Sequence, residues 1–337
     1  EGRSASEVLS DIGASAVAGS SSIVTTGALN SGSITSGFGT IDTGSSNITT
    51  TGVGTFGSLD IEGAIDVNGT TNLDVVDIDG AVDMASSLTV TGDIISNTSG
   101  ISNFRAGVNA GDSIQSGGNY NVFIGDEAGQ AITTGDNNVA VGFEALSTED
   151  THSRNTAIGH QSLKTLNAGA NAQSTAVGYN SAKAVTTGIE NTFIGASSGE
   201  SATTPNYTVA VGKSALGAVL TGDYNTAIGY HAGLASTSAT LNTLVGAFSG
   251  DALTTGTTNC ALGYLTLSAE TTGQRNTAMG YSALANQNGA SETQSLNTAY
   301  GFFAGLNITT GVENTFIGAN AGDSCTDDDH NTFVGYN

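Results

Sequence analysis

Asn225-Thr226-Ala227-Ile228-Gly229-Tyr230 is one copy of a phrase that returns thirteen times between Asn121 and Asn337. Its glycine recurs from Gly125 to Gly335; ten of the twelve gaps are 17 residues, and the other two are 19 and 21. A fixed period this short, held over this length, specifies a solenoid. The residue before the glycine is apolar in every copy, as at Ile124, Val211, Ile228, Leu262 and Ile317. That column is expected to face something dry. Four residues before the glycine stands Asn in eleven of thirteen copies, with Ser174 and Thr208 the exceptions. In stacked coils identical side chains lie about 4.8 Å apart, so these Asn are expected to hydrogen-bond along their column.

Two positions trade volume. Ala157, Ala210, Ala261 and Ala278 go with Leu163, Leu216, Leu267 and Leu284, six residues on. Where the early residue is large, as at Phe123, Phe193, Leu244 and Phe316, the later one is Gly129, Gly199, Gly250 or Gly322. Close-packed interiors require volume added at one place to be removed nearby, which predicts that the two positions touch. Seventeen residues suit a coil of two short strands and two turns. The apolar run makes one strand, and segments such as Thr133-Thr134-Gly135 and Thr254-Thr255-Gly256 make the other. No apolar stripe of 3.6-residue period supports helix pairs.

The two residues before the glycine are both apolar, yet neighbours on a strand face opposite ways. One column fills the coil's own interior; the other calls for a second dry surface, most simply a further copy of the chain. Ala227, Ile228, Ala261, Phe193 and Phe316 are thus read as packing residues, within the coil or between three chains.

Composition excludes much else. There are 48 Gly, one Pro, no Trp and only 11% charged residues, too little large apolar material for an ordinary core. A solenoid that buries small side chains coil by coil needs less. A net charge of −23 disfavours nucleic acid and anionic lipid as partners and opposes bundling. No apolar run is long enough to span a membrane. With no initiator Met and an end inside a repeat, the chain reads as a segment of something longer. Cys260 and Cys325 lie four coils apart, about 19 Å at strand spacing, too far for one disulfide.

Four regions are expected: a short helical connector at 1–16, a Gly/Ser/Thr-rich shaft at 17–58, a short-strand shaft and junction at 59–120, and the solenoid at 121–337. The second of these has lone apolar beads; the third has segments such as Leu59-Asp60-Ile61-Glu62-Gly63 that alternate apolar with polar. Motifs for chemistry are weak. Gly52-Val53-Gly54-Thr55-Phe56-Gly57 has the glycine spacing of a dinucleotide loop without the following helix. Asp77-Ile78-Asp79-Gly80 and Asp327-Asp328-Asp329-His330 lack a calcium loop's ligand ladder and read as solvated turns. His152, His160, His231 and His330 are not spaced as a metal set. No nucleophile motif is present. The expectation is no enzyme, no cofactor and no metal. Aromatics following the glycine, such as Tyr230, Tyr264 and Tyr281, are read as coil-on-coil packing rather than a sugar platform. The two long coils place extra residues in 164–173 and 285–296; insertions there are expected to loop out. Lys164, Asn167, Asn171, Asn286, Asn288 and Glu292 are the candidate receptor contacts.

The Asn-Thr-Ala-Ile-Gly phrases at 155–159 and 225–229 resemble the repeats of YadA-like trimeric autotransporter adhesin heads, although the period here is a few residues longer. The leading part, with Ser6-Glu7-Val8-Leu9-Ser10-Asp11-Ile12-Gly13 and Leu88-Thr89-Val90-Thr91-Gly92, is similar to tail fibres of marine bacteriophages. The resemblance implies an all-β, trimeric parallel β-solenoid preceded by a thin shaft. The implied role is that of a virion fibre segment that reaches a host-surface polysaccharide or protein; a bacterial surface adhesin is the alternative. It carries over no catalytic or receptor residue.

Overall fold

In the computed structural model the chain divides into two units, Glu1–Ala85 and Ser86–Asn337. The structure describes residues 2–4, 99–289 and 294–337. Of the first unit this leaves residues 2–4, which are exposed and irregular. The helical connector, both shafts up to residue 98, and the fingerprint-like and Asp77–Asp79 motifs lie outside the described residues.

The described residues of the second unit form a parallel β-solenoid. Fourteen strands of three residues, from β1 (Phe104–Ala106) to β14 (Thr332–Val334), stack in chain order into one sheet. Every pair is parallel and in register; β8 (Thr226–Ile228) sets Ala227 against Leu244 of β9 (Thr243–Val245). The solenoid therefore starts one coil earlier than the repeat suggests. In β1, Arg105 takes the place of the usual apolar residue and donates through Nε to the carbonyl of Ala110.

Each coil has one strand where two were expected. The Thr-Thr-Gly segments are bends, and the reason lies in the Asn column. Asn242 Oδ1 accepts the amide of Asn259 at 2.9 Å, while its Nδ2 reaches across the coil to the carbonyl of Gly256 at 2.9 Å. The same double bond recurs from Asn121 and Asn297. The carbonyl at the end of Thr-Thr-Gly thus turns inward to the Asn amide rather than outward to a ladder. Side chain meets side chain directly at Asn121–Asn103, Asn242–Asn225 and Asn276–Asn259.

The rest of the coil rests on left-handed backbone. In the coil after Gly212, positive φ occurs at Ser214 (55°), Leu216 (49°) and Tyr224 (59°). Such residues cost about 1–2 kcal/mol each and persist where surrounding bonds over-determine them. Here they do: Ser214 N–H donates to Ala196 of the preceding coil, and Leu216 N–H to Ala232 of the following one. The repeat glycine is a different case. A Cβ on Gly229, at φ +145°, would stand 2.4 Å from the carbonyl oxygen of Gly246, so close stacking itself demands glycine.

The interior matches the volume exchange. Phe193 and Phe316 are fully buried, and a Cβ on Gly199 or Gly322 would meet their rings at 2.2 Å. Ala227 and Ala261 occupy the same inward position. The small residue three after each glycine is buried beside them, and where it is Ser it donates onward, as Ser181 Oγ does to the Phe193 carbonyl at 3.0 Å.

Gly199→Leu alone should overpack the coil and cost about 1–3 kcal/mol; Phe193→Ala alone should cost about 3–5. Together they recreate the Ala210–Leu216 pairing, so the double variant should be more stable than the sum by at least about 1 kcal/mol in denaturant titrations. At the Asn column, Asn242→Asp turns a donor facing the Gly256 carbonyl into an acceptor and should cost about 1–3 kcal/mol. Asn242→Thr, the residue type found at Thr208, should cost less in the same titration.

Candidate functional site

The strands sort their side chains sharply. The middle residue points inward, and the flanking ones point out: Ala227 is 0% exposed and Ile228 40%. The column before the glycine, expected to face something dry, therefore lies on the outer face of the chain. Ile124, Ile158, Ile194, Ile228, Leu262, Tyr300 and Ile317 are all exposed there. Thr156, Thr175, Thr192, Thr226 and Thr277 form a half-buried row beside them. At about 4.8 Å per coil the face runs for about 60 Å. A shallow hollow between Leu262, Met279, Tyr300 and Phe302 interrupts it.

Along one edge of this face the rings form a stack. Phe143, His160 and Tyr179 succeed one another at 5.3 and 5.1 Å, nearly parallel. Tyr264, Tyr281 and Phe302 repeat the arrangement at 5.3 Å. Ring faces are spent on each other and mainly ring edges remain outside, which is packing geometry rather than a platform for a sugar face. His231 lies 3.8 Å from Tyr230, ring centroid to ring centroid, and joins the same row.

The candidate receptor residues are partly committed to the scaffold. Lys164 Nζ lies 2.6 Å from Glu144 Oε2; with the Gln161 amide this holds the Glu144 carboxyl below its usual range. Asn171 Oδ1 accepts the Ser153 amide at 3.1 Å, part of a second ladder continued by Asp136 and Asn119. Asn286 Nδ2 donates to Asn307 Oδ1 at 3.1 Å, and Asn288 Oδ1 accepts from Thr271 Oγ1 at 2.9 Å. Asn167 is exposed, its amide bound to the Thr186 carbonyl. Glu292 lies outside the described residues.

Coil-to-coil bonds continue on both sides of the first insertion, at Asn167–Thr186 and Glu190–Ala172, so the extra residues fall within 168–171. In the other long coil the ladder resumes at Gln294, paired with Gln274. Asn155 records the cost: its Nδ2 is buried with no partner, because the carbonyl it would reach lies in the lengthened segment.

Remaining singled-out groups stay apart. His330 Nε2 lies 3.0 Å from Glu313 on the surface. Asp329 accepts the Val312 amide. Cys260 and Cys325 are free thiols, and burial pushes the Cys325 thiol up. Burial likewise raises Asp251. Two buried carboxylates escaped the sequence reading, Glu149 and Glu270, both seven residues after a repeat glycine, where Ile132, Leu166 and Leu253 otherwise stand. Aligning the repeats by their glycines would have exposed them. Glu270 accepts the amides of Thr271, Thr272 and Gly273 on Oε1, and Gln287 Nε2 with the Gly289 amide on Oε2. It is a fully satisfied cap for its turn.

Removing two residues from 168–171 should leave the circular dichroism and melting temperature close to those of the parent. Collapse of the fold would show these residues to be core. Labelled chain applied to bacterial cells should bind less well after this trimming if the loop touches a receptor, and equally well if it does not. No family model, curated protein or solved structure matches the chain.

Proposed function

We propose that this chain is a fibre segment: a homotrimeric, non-enzymatic spacer whose solenoid holds a host-binding surface away from a virion, as tail fibres do. The observation that carries the reading is the outer aliphatic column from Ile124 to Ile317. Soluble monomers rarely leave a continuous apolar strip of this length open. Three parallel chains around one axis cover it, each presenting the same column at the same height. Cyclic closure alone permits two chains as well; the resemblance of the Asn-Thr-Ala-Ile-Gly phrase to YadA-like heads favours three. A net charge of −23 keeps such rods from bundling and fits an extracellular setting. The receptor is a cell-surface polysaccharide or protein, met by the loops of the long coils.

The inward and outward columns give a clean test. Light scattering of the whole chain should give three times 33.3 kDa. Ile228→Asp with Leu262→Asp should release folded single chains, since both side chains are exposed in one chain alone. Ala227→Asp should unfold the solenoid instead, because it buries a charge inside a coil. A folded wild-type monomer at micromolar concentration would overturn the proposal.

A further inference from the structure

Glu149 and Glu270 occupy equivalent turns, and the difference between them points to a ligand. Both side chains are fully buried. Glu149 Oε1 accepts the amides of Asp150 and His152 and stands 2.6 Å from His152 Nδ1. Its Oε2 is buried and has no hydrogen-bond partner. One coil beyond Glu270 lies Gln287, which supplies the missing donor; one coil beyond Glu149 lies Leu166, which has none to give. A buried carboxylate oxygen left unpaired is costly. It shares its carbon with Oε1, the oxygen that touches His152, and so lies beside the place where further ligand atoms gather.

Three side chains able to bind a metal meet there. One ligand atom each from Glu149, Asp150 and His152 lie within 4.8 Å of one another, the one such group among the described residues. The side chains are 0%, 48% and 16% exposed, so the cluster has a dry floor and opens to water past Asp150. We propose that Glu149, Asp150 and His152 bind a divalent cation of the zinc class, with water completing four-fold coordination. The set of one imidazole nitrogen and two carboxylate oxygens suits zinc at about 2.0–2.2 Å per bond. The two negative charges match the cation. The metal would replace the hydrogen between Nδ1 and the Glu149 carboxylate, and the two atoms, 2.6 Å apart without it, would part to about 3.3 Å to admit it. A neutral imidazole then carries its hydrogen on Nε2, which stands 3.5 Å from Thr151 Oγ1; that hydroxyl in turn lies 3.1 Å from Asp150 Oδ1. Such outer partners orient a ligating imidazole. The ion pins the 149–152 turn to its own coil, and the site is independent of the outer apolar face.

The test is zinc competition between the full chain and a chromophoric chelator, with cobalt absorption as the readout of coordination. One zinc per chain is expected, with a raised melting temperature. His152→Ala should weaken binding at least about 100-fold, and Thr151→Val by about 10-fold, the range for outer-shell partners. Glu149→Leu puts back the residue type of Leu166 and Leu253; it should fold, lose the zinc site, and melt at a temperature that zinc no longer changes. A wild-type chain that takes up no zinc below millimolar concentration would sink the proposal. So would zinc binding that is equal in the wild type and Glu149→Leu.

Discussion

Most Asn of the buried column do two jobs at once, and the solenoid depends on both. The side-chain oxygen receives the backbone amide of the next coil, as Asn259 does for Asn276 at 3.0 Å, and the side-chain amide spans the coil interior, as to Gly273 at 2.9 Å. The first bond spaces the coils, and the second closes each one. With only three residues per coil in a strand, the sheet cannot satisfy the buried backbone by itself. The Asn columns and the alternating amides of the left-handed turns supply the rest. Glycine at the strand end follows from the same spacing, because any side chain there would strike the backbone of the next coil.

The interior is then a problem of filling a narrow tube. Phe193 and Phe316 fill it from one wall, Leu216 and Leu267 from the other. Most polar residues enter the tube with their bonds supplied, as for Ser162 and Ser198 donating to carbonyls one coil on; the Ser236 and Ser295 hydroxyls are exceptions. Glu270 shows the same rule for a charge. Glu149 departs from it, and the departure coincides with a histidine and a second carboxylate on the same turn.

Much of this was legible from spacing alone. The period, the Asn column, the exchange of Phe193 for Leu-type filling at Gly199 and the small inward column were all readable, because every coil repeats the same physical demand. What could not be read was direction. Ala227 and Ile228 are both apolar, and only the folded coil places the first inside and the second outside. The expected second strand failed because Thr-Thr-Gly composition is silent about where its carbonyls point. The first coil was hidden because Phe104-Arg105-Ala106 lacks the phrase while keeping the register. The loop candidates follow from the two insertions, yet Asn171 and Asn288 hold coils together. The Glu149 turn is hidden in the sequence because His152 is not at metal-ligand spacing from the other histidines, and only the fold sets it against Glu149 and Asp150.

The interruptions of the Asn column have a mechanical meaning. Ser174 Oγ and Thr208 Oγ1 each bond a carbonyl two residues back, at 3.3 and 3.2 Å, instead of bracing the far wall. In a stack whose coils touch only their neighbours, stability is a sum of local interfaces. Tension along the axis loads those interfaces in series, so every one carries the full force and the weakest sets the limit. The coils of Ser174 and Thr208 flank the braced Asn191 coil, and the Asn155 coil next to Ser174 also lacks the brace. They form a built-in yield zone between about a third and a half of the way along the stack, with braced coils on either side able to stay folded after it gives.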